Sequence, residues 1–93
     1  MIEYNYEESK NRIAAYYEGK EVGEITYSKA GDNIFIVDHT YVNEEYRGKS
    51  IANQLVKNVV DLAILQNKKI VPLCSFVRKE FDRNPEYQEV ESK

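Results

Sequence analysis

The sequence has no tryptophan, one cysteine, one histidine, two prolines and four glycines. The lone Cys74 cannot form an internal disulfide, which excludes the oxidised frameworks that hold many small secreted domains together and makes a reducing, cytoplasmic setting the expectation. Asp38, His39 and Cys74 lack the paired close spacings of a zinc site, so no metal is expected. No apolar run approaches the roughly 18 residues that a membrane span requires. The start, Met1-Ile2-Glu3-Tyr4-Asn5-Tyr6-Glu7-Glu8, lacks the basic opening and apolar run of a signal peptide, so neither export nor insertion is expected. An excess of positive charge is missing as well: 13 Lys and Arg face 16 Asp and Glu, a net charge of −3 that argues against affinity for nucleic-acid phosphates. Repeats, low-complexity tracts and Pro/Ser-rich linkers are absent too.

What is present suffices for one core. The 93 residues are 42% hydrophobic and include eight tyrosines and three phenylalanines. That length fits a single domain over 1–93 and excludes a second catalytic domain. Residues 2–6 alternate, with Ile2, Tyr4 and Tyr6 on one side, as in a half-buried strand. Ile13, Ala15 and Tyr17 share a face, Glu18-Gly19-Lys20 supplies a turn, and Val22 to Tyr27 completes a hairpin. After the turn cluster 30–33, the β-rich run 34–42 reads as a central strand.

The period changes at Ser50. Ile51, Leu55, Val59 and Leu62 recur at helical spacing while Asn53, Gln54, Lys57, Asn58 and Asp61 cover the other side, predicting an amphipathic helix that ends near Asn67. Ile70-Val71-Pro72-Leu73-Cys74 reads as a strand whose Pro72 has no amide to donate. Strand, helix and strand make a right-handed crossover that places 34–42 and 70–74 parallel in one sheet. The tail from Phe76 to Tyr87 looks helical, with Pro85 breaking or restarting it. The expected class is α+β, or mixed α/β: antiparallel strands 1–4 followed by a βαβ unit and a C-terminal helix.

The segment Tyr46-Arg47-Gly48-Lys49-Ser50-Ile51-Ala52 joins the central strand to the helix. There the first helical amides point outward unpaired, ready for a phosphate oxygen, and Arg47 and Lys49 add positive charge. The blander alternative is that Gly48 only turns the chain and Ser50 caps the helix.

With those residues in place, the stretch from about 20 to 87 resembles the GNAT acetyltransferase superfamily. The superfamily's coenzyme A pyrophosphate loop runs Arg or Gln, two residues, Gly, one residue, then Gly or Ala. Here Arg47 opens the pattern, Ala52 closes it, and Ser50 stands where the middle glycine usually is. His39-Thr40 and Pro72-Leu73-Cys74 are similar to features of a small single-domain subgroup. The resemblance implies splayed parallel strands, with the pantetheine arm of acetyl-coenzyme A bonding to the backbone of Tyr41 and Val42. It also implies a pyrophosphate held by Arg47, Gly48, Lys49, Ser50, Ile51, Ala52 and Asn53. The paired helices that usually follow the first strand have shrunk to Glu7–Asn11, and no strands follow the final helix. An open acceptor groove is therefore expected, suited to a large amine such as a protein amine, or completed by a partner.

On that fold, Cys74 ends the second splayed strand and His39 lies near the end of the first. The two could form a thiol and imidazole pair beside the thioester, with His39 as base for an amine or as activator of a Cys74 nucleophile. The alternative is a buried structural cysteine and a histidine satisfied within the sheet. Tyr87 could protonate the departing coenzyme A thiolate, or simply anchor the terminal helix. Asp38 should point to the opposite strand face from His39, so the three are not a triad. Glu44-Glu45 reads as a solvated edge. The leading expectation is an acetyl-coenzyme A-dependent N-acetyltransferase, monomeric or weakly dimeric. The rivals are a non-catalytic acyl-coenzyme A sensor or protein-interaction module and, less favoured, a thiol redox protein without a resolving cysteine.

Overall fold

The computed structural model describes all residues, Met1 to Lys93. Strands β1 (Ile2–Glu7), β2 (Arg12–Tyr17), β3 (Lys20–Ala30) and β4 (Ile34–Val42) form an antiparallel meander. Helix α1 (Ile51–Gln66) then crosses over to β5 (Lys69–Pro72), which runs parallel to β4, and the spatial order is β1-β2-β3-β4-β5. Helix α2 (Ser75–Arg83) follows, and a 3₁₀ segment from Pro85 to Val90 closes the chain. The mixed α/β class and the crossover agree with the sequence pattern.

The helical period has the expected consequence. Leu55, Val56, Val59 and Ala63 of α1 are completely buried, against Ile25, Phe35, Val37 and Ile70 of the sheet. Val77 and Phe81 of α2 join the same cluster. Each such side chain contributes on the order of 1.5–3 kcal/mol by leaving water. The opposite sheet face carries no helix. The 3₁₀ turn Glu8–Lys10, all that stands in the region of the shortened helices, buries nothing. Instead that face is knit by polar groups. Arg12 donates to Glu7, Glu21 and Glu24, and Tyr16 donates to Glu7.

Several boundaries differ from the expected ones: β1 runs on to Glu7, and β3 takes in Lys20 and Ala30, which the sequence pattern places in turns. The fifth strand stops at Pro72 rather than Cys74, because Leu73 and Cys74 both donate their amides to the Val37 carbonyl, at 3.1 Å each, and the chain turns away. The tail is not one helix to Tyr87: α2 ends at Arg83, and Pro85 restarts a 3₁₀ segment because its ring cannot continue an α-helix. Beyond it the chain does return to the sheet, where Glu91 bridges Ile70 and Ser92 donates to the Ile70 carbonyl at 2.7 Å.

Asp38 requires a further correction. In the β3/β4 register Thr26 opposes His39 but Tyr27 opposes Val37, so Asp38 is an inserted, bulged residue. Its carboxylate accepts from Thr26 and Ser28 at 2.8 and 3.0 Å, while His39 Nε2 lies 3.7 Å from Glu24 on the same strand face. Asp38 and His39 therefore share a face, because the bulge breaks the strict alternation that separates neighbours on a regular strand.

Candidate active site

Strands β4 and β5 are paired from Ile34/Lys69 to Val37/Pro72 and no further. Past the bulge, Thr40, Tyr41 and Val42 continue along β4 while β5 has already ended, which opens a V-shaped gap beside the β4 edge. Pro72 does not start the gap, contrary to expectation: Lys69 and Leu73 donate to the Asn33 and Val37 carbonyls, so the amide that Pro72 lacks would face the outer edge, and the gap starts where the chain turns away after Leu73.

A cavity of about 250 Å³ occupies this edge, lined by Thr40, Tyr41, Val42, Arg47, Ala52 and Phe76. A second, of about 290 Å³, shares Val42, Arg47, Ala52 and Phe76 and extends over Tyr46, Gly48, Ser50, Ile51 and Asn53. The two make one groove from the splayed strand to the start of α1. Phe76 lines both parts and was not singled out from sequence. Its only signal there was an apolar residue just after Cys74-Ser75, at the start of the second helix.

The loop at the groove's outer end leaves a row of backbone donors unpaired. Asn43 orders its start, accepting from the Glu45 amide through its side chain at 2.9 Å. Gly48 then takes φ +82° and Ser50 φ +63°, so the chain coils before α1 begins. The first helical bond runs from Gln54 N to Ser50 O at 3.1 Å. The amides from Gly48 to Asn53 have no backbone acceptor, and they lie at the positive end of a 16-residue helix. A pyrophosphate fits this donor set. Ser50 does not cap the helix with its side chain, so the capping alternative fails: the left-handed backbone turns the hydroxyl away from that role.

The cations divide. Arg47 donates from Nε to the Val42 carbonyl at 3.1 Å, occupying one of the strand groups expected to meet pantetheine. Lys49 lies across the loop, lining a different cavity with Tyr17 and Tyr46.

At the inner end, the Cys74 thiol is 3.8 Å from the Thr40 hydroxyl. His39, although adjacent to Thr40 in sequence, points to the uncovered face, 56% exposed and beside Glu24. The expected thiol and imidazole pair is not assembled, because consecutive residues after the bulge take opposite faces. Tyr87 is likewise outside the groove. Its ring packs on Phe81 at 5.7 Å, and burial, with Glu80 nearby, raises its phenol above the usual value. Glu44 and Glu45 are exposed, as expected of a solvated edge.

An open pair of parallel strands leading to unpaired amides at a strand-to-helix turn is the arrangement that the resemblance to acetyltransferases implied. Residues 12–90 match the model of the GCN5-related N-acetyl-transferase family, and the chain belongs to that family. Among curated proteins it is similar to protein NATD1 of Danio rerio, 31% identical over 67 residues, covering 72% of this chain and 61% of that protein. The chain thus matches less than two thirds of the length of that relative. Among solved structures, a GCN5-like protein from Staphylococcus aureus superposes with TM-score 0.76 at 31% identity, covering 97% of this chain and 87% of that one. A GNAT family acetyltransferase from Elizabethkingia anophelis with acetyl-CoA bound shares the fold, with TM-score 0.58 at 20% identity over 63% of this chain and 39% of that one.

Proposed function

We propose that this chain transfers the acetyl group of acetyl-coenzyme A to an amine, a protein amine being the acceptor class its open face suits best. The observation that carries the reading is the continuous groove from the β4 edge to the unpaired amides of Gly48 to Asn53. The acetyl-CoA bound in the Elizabethkingia anophelis structure supports it.

In this reading the loop amides and Arg47 hold the pyrophosphate. Arg47 must first release the Val42 carbonyl, which then accepts from the pantetheine arm. The cofactor supplies an activated acyl group, and the new N–C bond forms as the C–S bond breaks. The amine gives up one proton, and the thiolate that leaves takes one. Cys74 and Thr40 stand at the inner end of the groove, where a thiol and a hydroxyl can donate to that thiolate. With His39 turned to Glu24, Cys74 has no imidazole to activate it, so direct attack by the amine is favoured over an acetyl-cysteine intermediate. His39 is placed to take a proton only from an acceptor approaching over the uncovered face.

The same separation of His39 and Tyr87 from Cys74 favours, as a second reading, an acyl-coenzyme A-binding module without turnover. Titration of coenzyme A while following backbone amides tests what the two share, and a search for acetylated amines separates them. The largest shifts are expected at Gly48 to Asn53, and unchanged amides at millimolar ligand would remove both.

A further inference from the structure

The two edges of the sheet are not alike. At β5, Pro72 presents no amide to the outside, Glu91 bridges Ile70, and Ser92 donates to the Ile70 carbonyl, so that edge is closed. β1, at the other edge, has none of these protections: it is six residues long, keeps an unbroken register with β2, and contains neither proline nor lysine. The ladder shows which of its groups are free. Tyr27 donates to the Asn11 carbonyl, so Asn11 and Ile13 face β3, while Arg12, Ala14 and Tyr16 face β1. Their partners Glu7, Asn5 and Glu3 are therefore bonded to β2, and the amides and carbonyls of Ile2, Tyr4 and Tyr6 point outward. The side chains of those three lie on the helix side, where Tyr4 and Tyr6 line a cavity of about 220 Å³ together with Leu65, itself 82% exposed.

We propose that β1 pairs antiparallel with β1 of a second copy of this chain, joining two five-stranded sheets into one, with Tyr4 opposite its own counterpart and Ile2 opposite Tyr6 of the other copy. A closed pair of identical edges is two-fold symmetric, so residue i opposite j requires j opposite i. Outward-facing residues must also meet outward-facing ones, which leaves only registers that move in steps of two residues. If Ile2 met Tyr4, Glu3 would stand opposite Glu3; if Tyr4 met Tyr6, Glu3 would stand opposite Glu7. Like charges directly opposite are destabilising. Among the registers that overlap most of the strand, the one centred on Tyr4 alone sets Glu3 against Asn5, a carboxylate facing an amide that donates to it, and it does so twice. This match of the strand to itself selects a second copy over a foreign strand. Tyr4, Tyr6 and Leu65 of both copies then lie on the same side of the new strand pair, and each cofactor groove, at the far edge beside β4, stays open.

The test is sedimentation equilibrium from micromolar to millimolar protein on the wild type, Asn5→Glu and Asn5→Lys, with amide hydrogen exchange followed at both ends of that range. Asn5 is exposed, so neither substitution disturbs the core. One strand pair is a small interface, and the wild-type dimer should be weak. Asn5→Glu sets two pairs of carboxylates face to face and should raise the dissociation constant about tenfold, whereas Asn5→Lys makes two ion pairs with Glu3 and should lower it several-fold. Asn33→Glu and Asn33→Lys, at an exposed turn away from β1, make the same changes in net charge and should leave the constant where it is. With rising concentration the amides of Ile2, Tyr4 and Tyr6 should gain protection, while those of Glu3, Asn5 and Glu7, already bonded to β2, hold theirs. A protein still monomeric at millimolar concentration overturns the proposal, as does a dimer whose added protection lies elsewhere. A dimer weakened by both Asn5 variants, as it would be if Asn5 met its own counterpart, or changed by neither, overturns the register and the proposal with it. So does an equal response to the Asn33 variants, which would trace the effect to net charge alone.

Discussion

Ser50 holds φ +63° and ψ +20°, a conformation that brings Cβ against the following carbonyl and costs an L-residue about 1–2 kcal/mol. Glycine removes that clash but gives the unfolded chain more freedom, so Ser50→Gly should stabilise the protein by up to about 1 kcal/mol in denaturant melts. Because the same backbone turn aims the loop amides, the variant should bind coenzyme A at least as tightly. A destabilised variant would mean that the hydroxyl has a partner outside the backbone. At Cys74 the expectation follows from its 3.8 Å approach to Thr40 and the distant orientation of His39. Incubating the protein with acetyl-coenzyme A and no acceptor should leave its mass unchanged, and Cys74→Ala should retain transfer to amines within about a hundredfold, the lower end of what a proton donor contributes. A hydroxylamine-labile gain of one acetyl group, lost in Cys74→Ala, would instead establish the covalent route.

At the scale of elements, Gly23 shows how tightly α1 and β4 are laid against β3. A Cβ there would come 2.9 Å from the Tyr41 carbonyl and 3.5 Å from Leu55. The carbonyl belongs to the backbone and cannot swing aside, so Gly23→Ala should cost about 1–3 kcal/mol in urea melts and disturb the β4 edge of the groove. Retained stability would show that the strand pair slides at little cost. This contact lies across elements far apart in sequence, and Gly23 read from sequence was only one member of an alternating strand. The strands, the crossover helix and the loop from Arg47 to Ala52 were legible because period 2, period 3.6 and a short motif are local signals. The bulge at Asp38 was not, since strict alternation gives no sign of an inserted residue until the partner strand fixes the register. That single insertion decides where His39 points, and so the misplaced partner of Cys74 follows from it. Phe76 escaped for a similar reason: its role comes from two cavities meeting on it, which no periodicity records.

Across the whole molecule, the uncovered sheet face and the returning tail are both tied down by carboxylates. Glu7, at the end of the edge strand β1, accepts from Tyr16 and from Arg12 on β2, and these contacts hold its carboxyl below the usual value. Arg12, fastened also to Glu21 and Glu24, is held still more firmly protonated than a free guanidinium. At the other edge, Arg78 of α2 donates to Glu91 at 2.8 and 3.2 Å and lowers its carboxyl likewise, just where the tail bridges Ile70 on β5. A carboxyl that binds its proton less readily when folded adds stability at every pH above its unfolded value, near 4.5 for glutamate, and loses it as the pH falls through the folded value. The melting temperature should therefore be flat from pH 7 to about 5 as far as these groups are concerned, and should fall steadily below about 4.5. Glu91→Gln keeps the shape but not the charge, so it should lower the melting temperature at pH 7 and shallow the decline in acid, and with Glu7→Gln added the decline should be shallower still. Parallel acid profiles for wild type and the double variant would show that protonation elsewhere governs the acid limit, and that the two edges of the sheet are held by packing alone.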